Sequence, residues 1–387
     1  MSTEVIVDEP KPAATKQRET LFDVAKGLAI LVVLGHHCSS YVARLYTDLP
    51  PDLYKAHHSI LWWSLNVLNR VLSFSVPAFL LISAVLSARS LNTKPAVIPF
   101  YKRRFPGILW PYAVWTAIYW IAHMATSPDS LKPRIVKVFG YELTGPAFLT
   151  HAHDRWLDLF WGKAYFHMYF MVVLLGLILL LPPAVAYVKW RKPSFAEIMV
   201  TAFVVQGAIM VVQHYSRLMP YPGSNVLWYI GSLLPGAWIG VNWERFKEES
   251  RRYIWPLAVV CVITLGGFLY EEVQVWNHIE AGNYESNGSL TIYASCLSIL
   301  FLMLAGALSQ RDKWRKVLEP LGQHSLQIYL IHPGVMMVME RAPIVAALRA
   351  THLGVILAPL LMFAVTIGLI ALFRLVRLEK PLFGRGA

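Results

Sequence analysis

Residues 23–38 read DVAKGLAILVVLGHHC, an apolar run that carries an acid and a base near its start and two histidines near its middle. The run is long enough to enter a bilayer. An ionisable side chain inside a membrane span costs roughly 2.5–3.5 kcal/mol on insertion scales, so it marks a functional position by default. The stretch therefore predicts a membrane helix that carries a site, with His36 and His37 as its first candidates.

The composition is that of an integral membrane protein. Of 387 residues, 56% are hydrophobic and 15% are charged, and the mean hydropathy is +0.47. The net charge of +12 comes from short basic clusters between apolar segments, the pattern that sets membrane topology, so we expect no nucleic-acid partner. Cys38, Cys261 and Cys296 lie in separate apolar runs and predict neither a disulfide framework nor a metal site.

Ten segments reach or approach the 20 or so apolar residues that one crossing of a bilayer needs, so the sequence predicts an all-α integral membrane protein. Their approximate bounds are 21–43, 67–86, 108–124, 165–188, 196–214, 226–241, 253–270, 290–308, 326–338 and 354–375.

The basic residues predict the orientation. If the N-terminus is cytoplasmic, that side of the membrane holds 24 Lys and Arg residues and the outer side holds 10, with Arg70 left unassigned. We therefore expect both ends in the cytoplasm. Residues 1–20 are expected to form a disordered cytoplasmic tail with no removable signal peptide. Residues 21–380 would form one transmembrane domain with a long outer loop at about 125–164, rich in histidine and aromatic residues.

The spacing inside the first helix favours one histidine. Lys26 and His37 are almost three helical turns apart, so they share a face about 16 Å apart along the axis, whereas His36 points about 100° away. Asp23 lies one turn before Lys26 and can pair with it. Either histidine could instead be a structural residue bonded to a neighbouring helix. Cys38 as a nucleophile activated by His37 is disfavoured, because adjacent helical residues diverge.

A basic triplet, Lys102, Arg103 and Arg104, stands just before the third predicted helix in FYKRRFPGILWPYAVW at 100–115. Cationic groups at a cytoplasmic helix entrance suit a phosphate-bearing ligand. The positive-inside rule explains the same residues equally well.

A polar stripe crosses the stretch LGQHSLQIYLIHPG at 321–334. Ser325, Tyr329 and His332 follow i, i+4, i+7 spacing, so they line one face of an apolar helix. This face must contact protein or water. Helix packing and a substrate site explain it equally well.

Aromatic residues surround a histidine in GKAYFHMYFMVVLLG at 162–176. Tyr165, Phe166 and Tyr169 fit an aromatic belt at the membrane interface, while His167 is a candidate for binding an acceptor.

Taken together, these stretches resemble the integral-membrane acyltransferases known as acyltransferase family three. The resemblance spans nearly the whole chain after residue 20 and also includes SFSVPAFLLISAVL at 73–86 and LEKPLF at 378–383. Ten helices with both ends cytoplasmic fit the family as well. Its most specific mark, a basic residue followed after ten positions by a histidine, is met by Lys26 and His37. Alignment on the family's frequent Gly-His pair would select His36 instead.

Two positions depart from the family pattern. Gly107 stands where a second arginine is frequent, which weakens a two-arginine donor clamp and leaves Lys102 and Arg103 as substitutes. Ala84 replaces the glycine of a Ser-Gly pair, a change between small residues.

The resemblance implies a membrane acyltransferase that moves a short acyl group, acetyl above all, from acyl-CoA to a hydroxyl of a cell-envelope or exported glycan. It implies His37 as general base with Asp23 in support, and no permanently bound cofactor or metal. Direct transfer and an acyl-histidine intermediate both stay open. We expect a multi-pass protein of the cell (inner) membrane. The donor phosphates would lie near Lys26, Lys102, Arg103 and Arg104, and the acceptor near His167, Ser325, Tyr329 and His332.

Two other functions fit the same topology. A glycan transporter or flippase would use the membrane histidines along a translocation path, but it leaves the spacing of Lys26 and His37 without a reason. A sensor or scaffold in envelope assembly is supported by the long outer loop alone. Release of free thiol from acetyl-CoA would discriminate the enzyme from both.

Overall fold

The structure is a computed structural model that describes residues 20–47, 60–126, 133–138, 141–146, 159–276, 283–342 and 354–384. Its α-helices are α1 Thr20–Thr47, α2 Ile60–Val71, α3 Ser75–Thr93, α4 Val97–Thr126, α5 Tyr169–Arg191, α6 Phe195–Ser216, α7 Ile230–Val241, α8 Trp243–Trp276, α9 Asn283–Ser309, α10 Asp312–Gln323, α11 Ser325–Met339, α12 Gly354–Leu375 and α13 Glu379–Phe383. Short 3-10 turns cover Leu72–Phe74, Pro222–Ser224 and Val226–Tyr229.

The chain is a multi-pass helical protein, and each of the ten predicted segments coincides with a helical part of the structure. Seven helices of the described residues are long and apolar enough to cross a membrane. They are Thr20–Ala43, Ile60–Thr93, Tyr169–Arg191, Phe195–Ser216, Trp243–Trp276, Gly288–Ser309 and Gly354–Leu375. Val226–Val241 and Ser325–Met339 are shorter apolar helical segments. The count of ten crossings and their orientation stay predictions.

The expectation of an all-α chain needs one correction. Strand β1, Pro133–Val138, pairs antiparallel with strand β2, Tyr141–Pro146, in register from Pro133 with Pro146 to Val138 with Tyr141. Isoleucine and valine in PRIVKV favour a strand. The hairpin belongs to the predicted outer loop. His151, His153 and Trp156 of that loop, and residues 1–19 of the predicted tail, lie outside the described residues.

A second correction concerns the basic triplet. Helix α4 begins at Val97, directly after Pro95 and Ala96, so Lys102, Arg103 and Arg104 lie inside the helix rather than ahead of it. The hydropathy pattern marks only the apolar part of a helix, and α4 extends past that part by three turns.

Helix α1 lies at the centre of the helical bundle. It packs against α2, α3, α9, α10 and α11, and 56% of its apolar window is buried, compared with 17% for α8 and α12. Apolar helices that expose most of their surface need lipid around them, whereas α1 is covered by protein. A polar group on α1 therefore meets other side chains, and the histidines of this helix face a protein interior.

Candidate active site

The His37 ring lies in a cluster of rings drawn from three distant parts of the chain. Its centroid is 5.2 Å from that of His36 on α1 and 5.0 Å from that of Phe166, which precedes α5. On α11, His332 stacks on it with centroids 5.3 Å apart and planes 29° apart. His167 continues the cluster, 6.2 Å from His332. Four histidines thus form one chain of rings within the bundle.

The backbone of α11 sets the tautomer of His332. Its Nδ1 lies 2.9 Å from the carbonyl oxygen of Ile328, which can only accept, so Nδ1 carries the hydrogen. In the neutral ring Nε2 then holds a lone pair. This atom is buried without a hydrogen-bond partner among the described residues. His332, which stacks on His37, therefore keeps one ring nitrogen as an acceptor that no hydrogen bond of the described residues uses.

His36 is held by α2. Its Nδ1 lies 2.9 Å from the carbonyl oxygen of Asn69, and the Asn69 side-chain amide donates to the His36 carbonyl at 2.7 Å. The Asn69 side-chain amide nitrogen also lies 3.2 Å from Nδ1, so Nδ1 is the ring nitrogen that α2 holds. The hypothesis that His36 is bonded to a neighbouring helix therefore agrees with the structure.

A cavity of about 290 Å³ opens beside these rings and is lined by His36, His37 and His167 together. Both histidines of α1 therefore border one cavity. Their directions from α1 do diverge, but the cavity extends around that side of the helix as far as α2, so both rings reach it. Eight hydroxyl-bearing side chains also line it: Ser73, Ser75, Tyr169, Tyr229, Ser232, Thr291, Ser295 and Tyr329.

His167 is almost fully buried, with 1% of its surface exposed, and only His332 among the four histidines is more buried. Neither ring nitrogen has a hydrogen-bond partner among the described residues. The hydroxyl of Tyr329 donates to its backbone carbonyl, which ties the segment before α5 to α11. An unpartnered buried imidazole that lines a cavity can accept or donate a hydrogen bond there.

The polar stripe of α11 faces protein along its length, and only part of it reaches the site. Ser325, Tyr329 and His332 are all buried. Tyr329 lines the cavity and His332 contacts His37. Ser325 stands about 10 Å from His332 along the helix and does not line the cavity.

The three residues of the predicted aromatic belt all contact protein. Tyr169 lines the cavity, and the Phe166 ring contacts His37. Tyr165 stacks on Tyr119 with centroids 4.9 Å apart and planes 4° apart. The segment before α5 thus packs on α4 and α11 through Tyr165 and His167, while Phe166 keeps 46% of its surface exposed.

The predicted pair at the start of α1 is present. The Lys26 ammonium lies 2.6 Å from Asp23, whose side chain is 3% exposed, while that of Lys26 is 25% exposed. Helix α10 crosses α1 at this turn, and a Cβ on Gly27 would lie 1.9 Å from the Leu318 carbonyl oxygen.

The basic triplet lies on a different helix from Lys26. Lys102 and Arg103 are exposed and Arg104 is half-buried. Helix α4 packs mainly on α5 and α13, whereas α1 packs mainly on other helices.

Two residues of the site were missed by the sequence analysis. Asn69 holds His36, and Arg70 lines the cavity. The sequence could have indicated both residues. An amide and a guanidinium at the start of the second predicted membrane segment are costly in a bilayer and therefore mark a candidate site.

A family model described as an acyltransferase domain, that of acyltransferase family three, matches residues 20–375. No curated protein and no solved structure matches the chain.

Proposed function

The chain belongs to this acyltransferase family, and from that membership we propose that it moves an acetyl or similarly short acyl group from acyl-CoA to a hydroxyl of a cell-envelope or exported glycan. Membrane acyl transfer follows from the family and from the apolar helices. The donor, the acyl group and the acceptor are the proposed part. The protein would work in the cell (inner) membrane.

One observation supports the proposal above the others: His37 stands at a cavity, among rings from three separate segments. A general base must lie within hydrogen-bond reach of the proton that it removes, and a cavity beside the imidazole gives the acceptor hydroxyl that place. Desolvated surroundings also strengthen the polar interactions that hold the reacting groups.

In the proposed reaction the acceptor oxygen attacks the thioester carbonyl carbon, and His37 takes the hydroxyl proton. A carbon–oxygen bond forms and the carbon–sulfur bond breaks. The proton then passes from His37 to the departing CoA sulfur, so the enzyme returns to its starting state. His332 and Phe166 would hold the His37 ring in place, and His36 is the second candidate for the base.

The remaining candidate residues take roles around this step. Lys26, held by Asp23, would attract the donor from the cytoplasmic side, and Lys102, Arg103 and Arg104 would bind its phosphates on α4. The cavity-lining His167 and Tyr329 would bind the acceptor. Because Ser325 lies outside the cavity lining, we assign it no contact with substrate.

Purified protein in detergent, mixed with acetyl-CoA and a glycan acceptor, tests the proposal by release of free thiol. The matching measurement in cells is mass spectrometry of envelope glycans with and without the protein. Acetyl-CoA that stays intact with every acceptor, together with unchanged glycan acylation in cells, would rule out the proposed donor and acceptor. The membrane acyltransferase family would then stand with a different donor.

A further inference from the structure

Three tryptophan rings form a cluster that the mechanism above leaves unused. Trp62 and Trp63 lie near the start of α2, and Trp276 ends α8. The centroids of Trp62 and Trp63 are 5.2 Å apart, and they lie 5.9 and 5.4 Å from Trp276. All three side chains are partly exposed. Two helices that are distant in sequence therefore bring their aromatic ends to one accessible place, the tryptophan cluster.

Arg70 connects the tryptophan cluster to the cavity. It lines the cavity together with His36 and His37. Its guanidinium carbon lies 5.9 Å from the Trp276 ring centre, and 34% of its side chain is exposed. Arg70 therefore borders the cavity on one side and the tryptophan cluster on the other, so the cluster lies next to the cavity that holds the histidines.

The charge of Arg70 is compensated. Its Nε lies 2.8 Å from a carboxylate oxygen of Glu272, whose side chain is 14% exposed. An uncompensated guanidinium would select anionic ligands, whereas this pair presents N–H donors and carboxylate acceptors side by side with little net charge. Hydroxyl groups, which donate and accept, match such a surface.

We propose that Trp62, Trp63, Trp276, Arg70 and Glu272 form a binding subsite for a neutral saccharide of the acceptor. A sugar ring has apolar C–H faces, which pack on aromatic rings, and a rim of hydroxyls, which hydrogen-bond to charged side chains. The proposal rests on the proposed function for its role, since it gives the acceptor glycan a place outside the reaction centre.

The location suits an acceptor longer than one sugar. Trp63 precedes Asn69 by six residues, about 9 Å along α2, and Asn69 holds His36 at the cavity. A saccharide on the tryptophan cluster would therefore direct its next residue past Arg70 towards His37. On the predicted topology the start of α2 and the end of α8 both lie on the outer side, where an exported glycan would arrive.

Saturation-transfer-difference NMR on the purified full chain, without acyl donor, tests the subsite. The probes are neutral tetrasaccharides of β-linked glucose, β-linked N-acetylglucosamine, α-linked mannose and α-linked galactose, with tetragalacturonate as the anionic counterpart. We expect transfer to the C–H protons of at least one neutral probe. Trp276→Ala should weaken its affinity by about five-fold, the scale of one lost aromatic contact.

Trp190→Ala is the matched control, because Trp190 lies in the last turn of α5, is 77% exposed and does not line the cavity. It should leave the signal unchanged. Glu272→Gln should bring on binding of tetragalacturonate, which the wild type should reject, since Arg70 would lose its compensating charge. The subsite is wrong if no neutral probe gives transfer, if Trp276→Ala and Trp190→Ala behave alike, or if the wild type prefers the anionic probe.

The binding measurement separates this proposal from the proposed function. Saccharide binding without thiol release from acetyl-CoA would keep the subsite and reject the proposed donor chemistry. Thiol release with an acceptor other than a saccharide, without binding of these probes, would keep the proposed donor chemistry and reject the subsite.

Discussion

His37 and His36 differ in what surrounds them. His37 lies between rings from other segments, Phe166 and His332, and packs face to face on the latter. His36 is tied to α2 through the carbonyl and the side chain of Asn69. Both rings line the cavity, so the structure leaves both as candidates. His37 also shares the helical face of Lys26, and this spacing makes His37 our first candidate for the base.

Replacing His37 by alanine should lower the rate of acyl transfer by about 10²–10⁴-fold, the usual contribution of a general base. His36→Ala, at the preceding residue, is the matched control. We expect it to lower the rate of acyl transfer by less than about tenfold, because it changes packing rather than proton transfer. The measurement is thiol release by purified variants that elute as monodisperse protein. The reverse ranking would make His36 the base.

The basic triplet of α4 can be tested one charge at a time. Lys102→Gln and Arg103→Gln should each raise the KM for acetyl-CoA about two- to five-fold with little change in kcat, since an exposed charge contributes at most about 1 kcal/mol. The effect should shrink as salt is added.

Lys189→Gln gives the comparison for the triplet, because Lys189 is exposed near the end of α5, also on the predicted cytoplasmic side. If the KM values of all three variants match the wild type, the donor does not use the triplet, and positive-inside topology alone explains it.

At the scale of elements, α4 holds α11 at the position of His332. Pro333 lies inside α11, and the Tyr119 hydroxyl enters the helix beside it, donating to the Leu330 carbonyl at 2.6 Å and accepting from the Gly334 N–H at 3.0 Å. A side chain inserted between those two groups replaces their direct hydrogen bond and bends a helix. The direction of His332 thus depends on a residue of another helix.

Tyr119→Phe should destabilise the protein by about 1–3 kcal/mol, because it removes the two hydrogen bonds that the Tyr119 hydroxyl makes to the backbone of α11. It should also lower acyl transfer, since His332 would no longer be held beside His37. Thermal unfolding of the purified variant in detergent measures the first effect. Tyr270→Phe, at a position on α8 that is 63% exposed, should leave the melting temperature within error. Equal melting temperatures for both variants would contradict the role of Tyr119.

The crossing of α1 and α10 depends on two glycines. A Cβ on Gly322 would lie 1.7 Å from the Asp23 carbonyl oxygen, and one on Gly27 would meet the Leu318 carbonyl. Both neighbours are backbone atoms, which cannot move aside without parting the helices. The close approach of α10 to the turn that carries Asp23 and Lys26 therefore requires glycine.

Gly27→Ala should destabilise the fold by about 3 kcal/mol or more, beyond ordinary overpacking, because the clash is with backbone. Gly207→Ala on α6 should be neutral or stabilising by up to about 1 kcal/mol, since a Cβ there meets no atom within 4 Å. The yield of monodisperse protein and its melting temperature report both. A Gly27→Ala variant as stable as Gly207→Ala would refute the close crossing.

At the scale of the whole molecule, the charge distribution predicts both chain ends in the cytoplasm. A green fluorescent protein fused after residue 387 should fluoresce, and alkaline phosphatase at the same place should be inactive, because that enzyme folds in an oxidising compartment. Phosphatase inserted near residue 130 of the outer loop should be active. An active phosphatase at the C-terminus would mean an odd number of crossings or a reversed orientation.

Much of the architecture could be predicted from the sequence because it depends on local properties. Apolar length located ten helical segments, and the three-residue spacing of Asp23 and Lys26 correctly predicted their ion pair. The start of α4, ahead of the basic triplet, was missed because hydropathy does not mark a helix where it leaves the apolar region. The hairpin was missed because strand signals inside a long loop are short.

The sequence by itself determined the properties of single helices: their apolar faces, their charges and the spacing of Lys26 and His37. Only the tertiary structure decided that His37 meets His332, that His36 shares its cavity and that Arg70 pairs with Glu272. The physical reason is that such contacts depend on how neighbouring helices rotate and cross. That geometry is set by side-chain packing over the whole bundle, and it cannot be derived from the residue spacing within a single helix.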